Sequence, residues 1–236
     1  MEKLAVIHPL SYIGYGVCRY FVEKGVEVNA YFTSSELSER EEWMLMDFER
    51  NALFRRVEQE RQAEQLQGKC LIYCLVDNPA SHNDVQKWWS KCAKARSKFI
   101  LLSSYEVFGD HQKVVDEDTL PEPTSQFGQQ ILSIEEGLQS TEALEWLIIR
   151  IPKLIGEWND EQMLRESNDA LYILDAAQGI KEIMDKSYSN EVVHLTNSQF
   201  ENRRALSLKY TYSPNITIDQ AIKKQKEHIR KQQKLF

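Results

Sequence analysis

The first 32 residues limit the chain to one broad fold class. Leu4-Ala-Val-Ile7 is a short apolar run of strand character, followed by a turn and an amphipathic stretch from Ile13 to Lys24. Val17, Tyr20 and Phe21 recur there at helical spacing, Gly25 stands where a helix closes, and Val26 to Phe32 reads as a second strand. A strand, a helix and a second strand in about 30 residues form a crossover unit. Such a unit makes the strands parallel, and a parallel sheet must be covered on both faces.

The rest of the chain continues the alternation. Cys70 to Val76 (CLIYCLV) is a continuous apolar run, the pattern of a strand buried on both faces. Val85 to Ala95 reads as a helix carrying Trp88 and Trp89, Phe99 to Leu102 as a strand leading into Ser103-Ser104, and Phe127 to Leu138 as a helix after the loop Pro121 to Ser125. Leu147 to Ile151 is a further strand ended by Pro152; Asp169 to Lys186 is helical, Val192 to Thr196 a strand, and Ile218 to Phe236 a final helix. Glu36 to Gln67 is charged and mostly helical in composition, and Leu53 to Val57 within it is compatible with helix or short strand. The pattern predicts an α/β fold with a Rossmann-like, doubly wound, mainly parallel sheet. With no internal repeat or low-complexity linker, residues 1–236 read as one unit, of which about 157–236 include a small C-terminal lobe.

Several function classes drop out on composition. Net charge is −7, against a general nucleic-acid binder, and no apolar run approaches a membrane span. The apolar part of the N-terminus is short for a signal peptide and reads as a strand, so a cytoplasmic protein is expected. Cys18, Cys70, Cys74 and Cys92 form no Cys-x-x-Cys pair, and His8, His82, His111, His194 and His228 lack ligand spacing, so no metal site is expected. Neither a Gly-x-Ser-x-Gly elbow nor a P-loop is present. The last 18 residues carry six Lys/Arg against two acids, a basic helix on an acidic body. Ile218, Ile222, Ile229 and Phe236 give that helix one apolar stripe, suited to docking on the body or, alternatively, to a partner. Trp43, Trp88, Trp89, Trp146 and Trp158 suit core packing, or the lining of a cleft.

Five segments in order carry a resemblance. His8-Pro-Leu-Ser-Tyr-Ile-Gly14 resembles a Gly-x-x-Gly-x-x-Gly turn, and Phe99-Ile-Leu-Leu-Ser-Ser-Tyr-Glu-Val-Phe-Gly109 a strand ending Ser-Ser-x-x-Val-Tyr-Gly. Phe127-Gly-Gln-Gln-Ile131 falls where a Tyr-x-x-x-Lys belongs; Arg150-Ile-Pro152 through Gly156 is similar to an Arg-Pro…Gly segment, and Tyr172-Ile-Leu-Asp-Ala-Ala177 to Val-x-Asp-Val-Ala. Together they resemble the extended short-chain dehydrogenase/reductase family, the NAD-dependent epimerases and dehydratases of nucleotide sugars. The resemblance implies a Rossmann fold, NAD or NADP as cofactor, and a C-terminal substrate lobe that would be shortened here. It also implies assembly as a homodimer, or as a heteromer with an intact paralogue, through the helix Phe127 to Leu138.

The departures fall on the chemistry. The cofactor turn and ribose site map to His8, Ser11, Tyr12, Ile13, Gly14 and Phe32. His8 and Ser11 replace the glycines that let the backbone turn tightly and approach a pyrophosphate, while Gly14, the helix–strand packing glycine, is kept. Pro9 removes a donor N–H from the loop, and Phe32 stands where a carboxylate would hold the ribose hydroxyls. Phe127 has no phenol to exchange a proton, and Ile131 has no charge to favour a phenolate. Ser104 aligns with the family's catalytic Ser/Thr and Glu106 with the second dehydratase acid, with Tyr105 in place of the first. Asp77 and Asn78 would line the same crevice, or simply form a turn. The leading expectation is a non-catalytic pseudoenzyme that binds a nucleotide-like ligand or a protein partner. The alternative is an active epimerase, dehydratase or reductase using relocated residues such as Ser104 and Glu106; the plain reading of these two is a turn cap and an exposed acid. A third expectation is an assembly subunit.

Overall fold

The opening crossover forms as β1 (Lys3–Ile7), α1 (Tyr12–Glu23) and β2 (Glu27–Tyr31). Leu4 to Ile7 are fully buried, and β1 pairs in parallel with β2 in the register Lys3↔Glu27 to Ile7↔Tyr31. Gly25 follows the last turn of α1 with φ +79°, a left-handed conformation that a side chain would resist. The computed structural model describes residues 3–34, 36–57, 66, 70–76, 80–109, 119–158, 170–197, 211–212 and 215–232. Asp77, Asn78 and Phe236 lie outside the described residues.

The elements that follow are α2 (Glu39–Met46), β3 (Phe54–Val57), β4 (Cys70–Cys74), α3 (His82–Ala95), β5 (Lys98–Ser104), a 3-10 turn (Tyr105–Phe108), α4 (Gln126–Gln139), β6 (Trp146–Ile151), β7 (Leu154–Ile155), β8 (Leu171–Tyr172), α5 (Ile173–Asp185), β9 (Glu191–His194), β10 (Thr196–Asn197), β11 (Thr211–Tyr212) and α6 (Ile218–Gln232). Seven parallel strands form one sheet in the order β3-β2-β1-β4-β5-β6-β9. The direction of winding reverses between β1 and β4, the switch point at which doubly wound sheets place their ligands.

Alternation along each strand divides the core in two. Leu4, Val6, Val28, Ile72, Ile100 and Ile149 meet α1 and α5 on one face; Ala5, Ile7, Tyr73, Phe99 and Leu101 meet α3 and α4 on the other. Four helices begin on a serine whose hydroxyl accepts a backbone N–H of the first turn: Ser11, Ser38, Ser81 and Ser125. Each cap satisfies a donor that the helix cannot. Trp88, Trp89, Trp146 and Trp158 are buried, the packing role.

Several boundaries differ from the pattern. Among its described residues the charged stretch after β2 holds one short α-helix, α2, and Phe54 to Val57 forms a strand: β3 pairs with β2 as an edge of the sheet. Its exposed Arg55 and Arg56 protect that edge. The helix expected from Asp169 starts only at Ile173, because Leu171 and Tyr172 pair with Leu154 and Ile155 as β8 on β7. The strand expected over Val192 to Thr196 is broken: β9 extends the main sheet, whereas Thr196 and Asn197 pair with Thr211 and Tyr212. The C-terminal helix does dock, but its buried seam is Ala221 and Gln225, with Ile218, Ile222, His228 and Ile229 half-buried beside it. Gln225 belongs to that seam because its side-chain oxygen accepts the Gly156 N–H at 3.1 Å.

Candidate functional site

The register aligns Tyr73 of β4, Ile7 of β1 and Tyr31 of β2 side by side, so the residue after Ile7 emerges at the switch point. That residue, His8, has φ +56°, a left-handed conformation rare for a side chain of its size. Its ring lies across the carboxyl edge of three strands. Nε2 is 3.1 Å from the Tyr73 hydroxyl, and Nδ1 is 3.2 Å from Oγ1 of Thr33, two residues past β2. The His8 and Tyr73 rings meet edge to face at 5.2 Å. Burial pushes the imidazole pKa down to about 4, against opposing pulls from Glu41 and Asp84. The ring is therefore neutral at pH 7, with one nitrogen donating and the other accepting. Burial also raises the Tyr73 phenol, which stays protonated.

The turn after His8 is closed on itself. Ser11 N–H donates to the His8 carbonyl at 3.1 Å, and Ser11 Oγ accepts the Gly14 N–H at 3.1 Å. A Cβ on Gly14 would lie 2.1 Å from the His8 carbonyl oxygen, so the glycine serves the turn's own packing. A cavity of about 240 Å³ opens beside the turn. It is lined by His8 to Tyr12, by Phe32 to Ser34 after β2, and by Leu37, Ser38, Arg40 and Glu41 at the start of α2. The Glu41 carboxylate is held in a capping box, accepting from the Ser38 N–H at 2.8 Å and from its hydroxyl at 2.7 Å. The Arg56 guanidinium lies over the Phe32 ring, 4.7 Å from its centroid. His8, Ser11, Tyr12 and Phe32 thus share one cavity, whereas Ile13 and Gly14 are packed away from it.

Ser104, Tyr105 and Glu106 diverge. Ser104 Oγ accepts the Glu106 N–H at 3.2 Å, capping the 3-10 turn, and the Tyr105 hydroxyl donates to the Leu195 carbonyl at 3.2 Å. Glu106 is half-buried rather than exposed, because its carboxylate accepts from Ser125 Oγ at 3.1 Å. Ser125 Oγ in turn accepts the Gly128 N–H at 2.9 Å, so this chain of contacts fixes the start of α4. On that helix Phe127 is half-buried, and Ile131, 0 % exposed, belongs to the core beneath the sheet. None of these residues lines the cavity.

One polar cluster was not foreseen as such. Arg150 on β6 and Glu135 on α4 form an ion pair at 2.7 Å (Nη2 to Oε2), with Nε 3.2 Å from both carboxylate oxygens. Ser103 Oγ donates to the same carboxylate, His194 Nε2 is 3.4 Å from Arg150 Nη1, and the guanidinium sits 4.9 Å from the Phe108 ring centroid. Glu135 is 0 % exposed and Arg150 6 %. The pair ties α4 to the centre of the sheet. Among the described residues, no group of three or more His, Cys, Asp or Glu side chains is placed to hold a metal, and no helix is long and apolar enough to cross a membrane.

Neither a protein-family model nor a curated protein matches the sequence. Solved structures do match the fold. UDP-glucuronic acid 4-epimerase from Bacillus cereus in complex with NAD superposes with a TM-score of 0.75 at 18% identity, covering 98% of this chain and 99% of that one. UDP-glucose 4-epimerase from Thermotoga maritima, with UDP-glucose, gives 0.69 at 18% identity over 98% and 99% of the two chains. Pal from Bacillus thuringiensis gives 0.74 at 12% identity, again over 98% and 99%. At these identities the likeness is one of fold. The chain has the Rossmann-type architecture that NAD-dependent nucleotide-sugar epimerases share.

Proposed function

We propose that this chain is a nucleotide-binding relative of the nucleotide-sugar epimerases that does not carry out their proton and hydride chemistry. The observation that carries this reading is the fate of the two catalytic positions. Phe127 has no ionisable group, and Ile131 is sealed in the core where a lysine ammonium would stand uncompensated. Ser104 and Glu106, the residues of the alternative reading, are engaged in capping a turn and a helix, which supports a structural role for both.

The cavity at the end of β2 supports retention of a ligand site. The carboxylate for ribose hydroxyls is absent, and Arg40 lines the cavity while Arg56 rests against Phe32. Arginines in that position suit a phosphorylated ribose, as in NADP, better than a plain one, as in NAD. A whole dinucleotide held across the edge does not fit the residues present: Pro9 has no N–H to offer, Ser11 takes the Gly14 N–H, and the His8 ring occupies the crossing.

Thermal unfolding of the purified chain with NAD, NADP, AMP and adenosine 2′,5′-bisphosphate tests the reading. A ligand at 100 times its Kd adds about 2.7 kcal/mol of stability. A shift with an adenine nucleotide is expected, together with no turnover of reduced cofactor in the presence of UDP-sugars. Steady turnover of a nucleotide sugar at enzyme-like rates overturns the non-catalytic reading, and the absence of any shift overturns the nucleotide one.

A further inference from the structure

From the position of His8 we infer that the cavity is a half-site: it accepts a mononucleotide and excludes a dinucleotide, with His8 as the dividing wall. The inference rests on the nucleotide-binding reading above and names the ligand class of that same site.

In a doubly wound sheet a dinucleotide straddles the switch point, with one nucleotide on the β2 side and the other on the β4 side. Its pyrophosphate must pass over the end of β1. Here that passage is filled by an imidazole anchored at both ends, to Tyr73 on β4 and to Thr33 beyond β2. The cavity reflects the division. Among the described residues its lining comes from the β1–α1 turn, the end of β2 and the start of α2, with none from β4 or a later strand. Its 240 Å³ lies below the roughly 300–1,000 Å³ of pockets that enclose drug-sized ligands. A volume of that size does not enclose two nucleotides. Leu10, Phe32 and Leu37 supply apolar surface for a base, and Arg40 supplies a cation for a ribose phosphate. Glu41, the acid in the lining, is turned into the Ser38 capping box, which lessens its opposition to an anion.

Both partners are hydroxyls, which donate or accept as the ring requires, so either tautomer of the neutral histidine is held at both nitrogens. A neutral ring has one donor and one acceptor, and both are used, so the ring is fixed between its partners and not free to swing aside. Glycine at position 8 adopts φ +56° without strain and removes the wall.

The test compares adenosine 2′,5′-bisphosphate with NADP, which contains the same half plus a second nucleotide, by calorimetric titration of the full chain. Three proteins are used: the unaltered chain, His8→Gly, and Tyr73→Phe, which unties the ring but keeps its bulk. In the unaltered chain NADP is expected to bind no more tightly than the bisphosphate. His8→Gly should raise the NADP-to-bisphosphate affinity ratio by roughly tenfold or more, and Tyr73→Phe should move it the same way by less. Circular dichroism checks that each variant is folded; if His8→Gly is not, Tyr73→Phe decides. NADP binding the unaltered chain roughly tenfold more tightly than the bisphosphate, or a ratio unmoved by both substitutions, overturns the half-site while leaving nucleotide binding intact. Failure of both probes on all three proteins removes the nucleotide reading and the half-site with it.

Discussion

Replacing Arg150 by methionine should be among the most damaging single changes this chain can suffer. The guanidinium makes three contacts of 2.7–3.2 Å with a Glu135 carboxylate that is completely shielded from water. Methionine fills much of the same space, so the principal loss is electrostatic: a carboxylate left in the interior with Ser103 as its remaining polar neighbour. Breaking a buried pair from one side typically costs about 3–5 kcal/mol, most of it from the charge left behind. In a domain of this length each kcal/mol lowers Tm by about 2–4 °C, so the midpoint should fall by roughly 6–20 °C. Urea unfolding of the chain and of Arg150→Met at pH 7 measures the difference directly. The same logic makes the double variant Arg150→Met, Glu135→Leu the sharper experiment. It removes both charges and should recover most of the loss, since an apolar pair of similar volume is often neutral or better. A single variant that loses less than about 1 kcal/mol, or a double variant no better than the single, would refute the account of α4 being held to the sheet by this pair.

Three further outcomes follow from other contacts. Because the His8 pKa is lowered to about 4, the unfolded chain takes up a proton below pH 6.5 that the folded chain refuses; this contribution is full above pH 6.5 and lost as pH falls toward 4. Allowing for the ring's partial exposure it amounts to about 1–2 kcal/mol, and His8→Gln should flatten that part of the stability curve in urea titrations between pH 7 and 4.5. Gly128→Ala places a Cβ 2.4 Å from the Glu106 carbonyl oxygen and 3.0 Å from Pro123 Cβ, and should cost about 1–3 kcal/mol by thermal unfolding. Arg40→Ala should weaken adenosine 2′,5′-bisphosphate binding by about five- to tenfold in calorimetry while leaving Tm without ligand nearly unchanged.

The centre of the sheet was legible because β4 and most of β1 and β5 are unbroken apolar runs, which mark strands covered on both faces, whereas the edge strand β3, with Arg55 and Arg56, read as helix or strand alike. What escaped the sequence depends on partners far along the chain. Leu171 and Tyr172 read as the start of a helix because only their pairing with Leu154 and Ile155 makes them strand. Glu135 looks like any acid on an amphipathic helix, and its burial follows from an arginine on the next strand that no local pattern connects to it. The candidate site divides in the same way. That His8, Ser11 and Phe32 lie together was readable from the turn, since those positions are fixed by the crossover itself. That the His8 ring bridges Tyr73 and Thr33 was not, because the contact spans 65 residues in one direction and 25 in the other. The stripe of isoleucines on α6 misplaced its buried seam, since Gln225 is drawn inward by one backbone N–H that hydropathy does not register.

Gln225 makes the attachment of α6 a matter of register as much as of adhesion. Among its described side chains the helix buries two, and one of them is an amide whose oxygen accepts the Gly156 N–H. Half-buried Ile218 and Ile222 pack on the core and the His228 ring meets Trp158 at 4.5 Å, but the fully buried seam is small, so α6 should open ahead of the seven-stranded sheet. Amide hydrogens of residues 221–229 should then exchange through this local opening at rates that do not track global unfolding, whereas those of β1, β4 and β5 exchange only when the whole domain unfolds. Exchange of that kind would make α6 the first element to leave the fold, with the sheet and its switch point outlasting it.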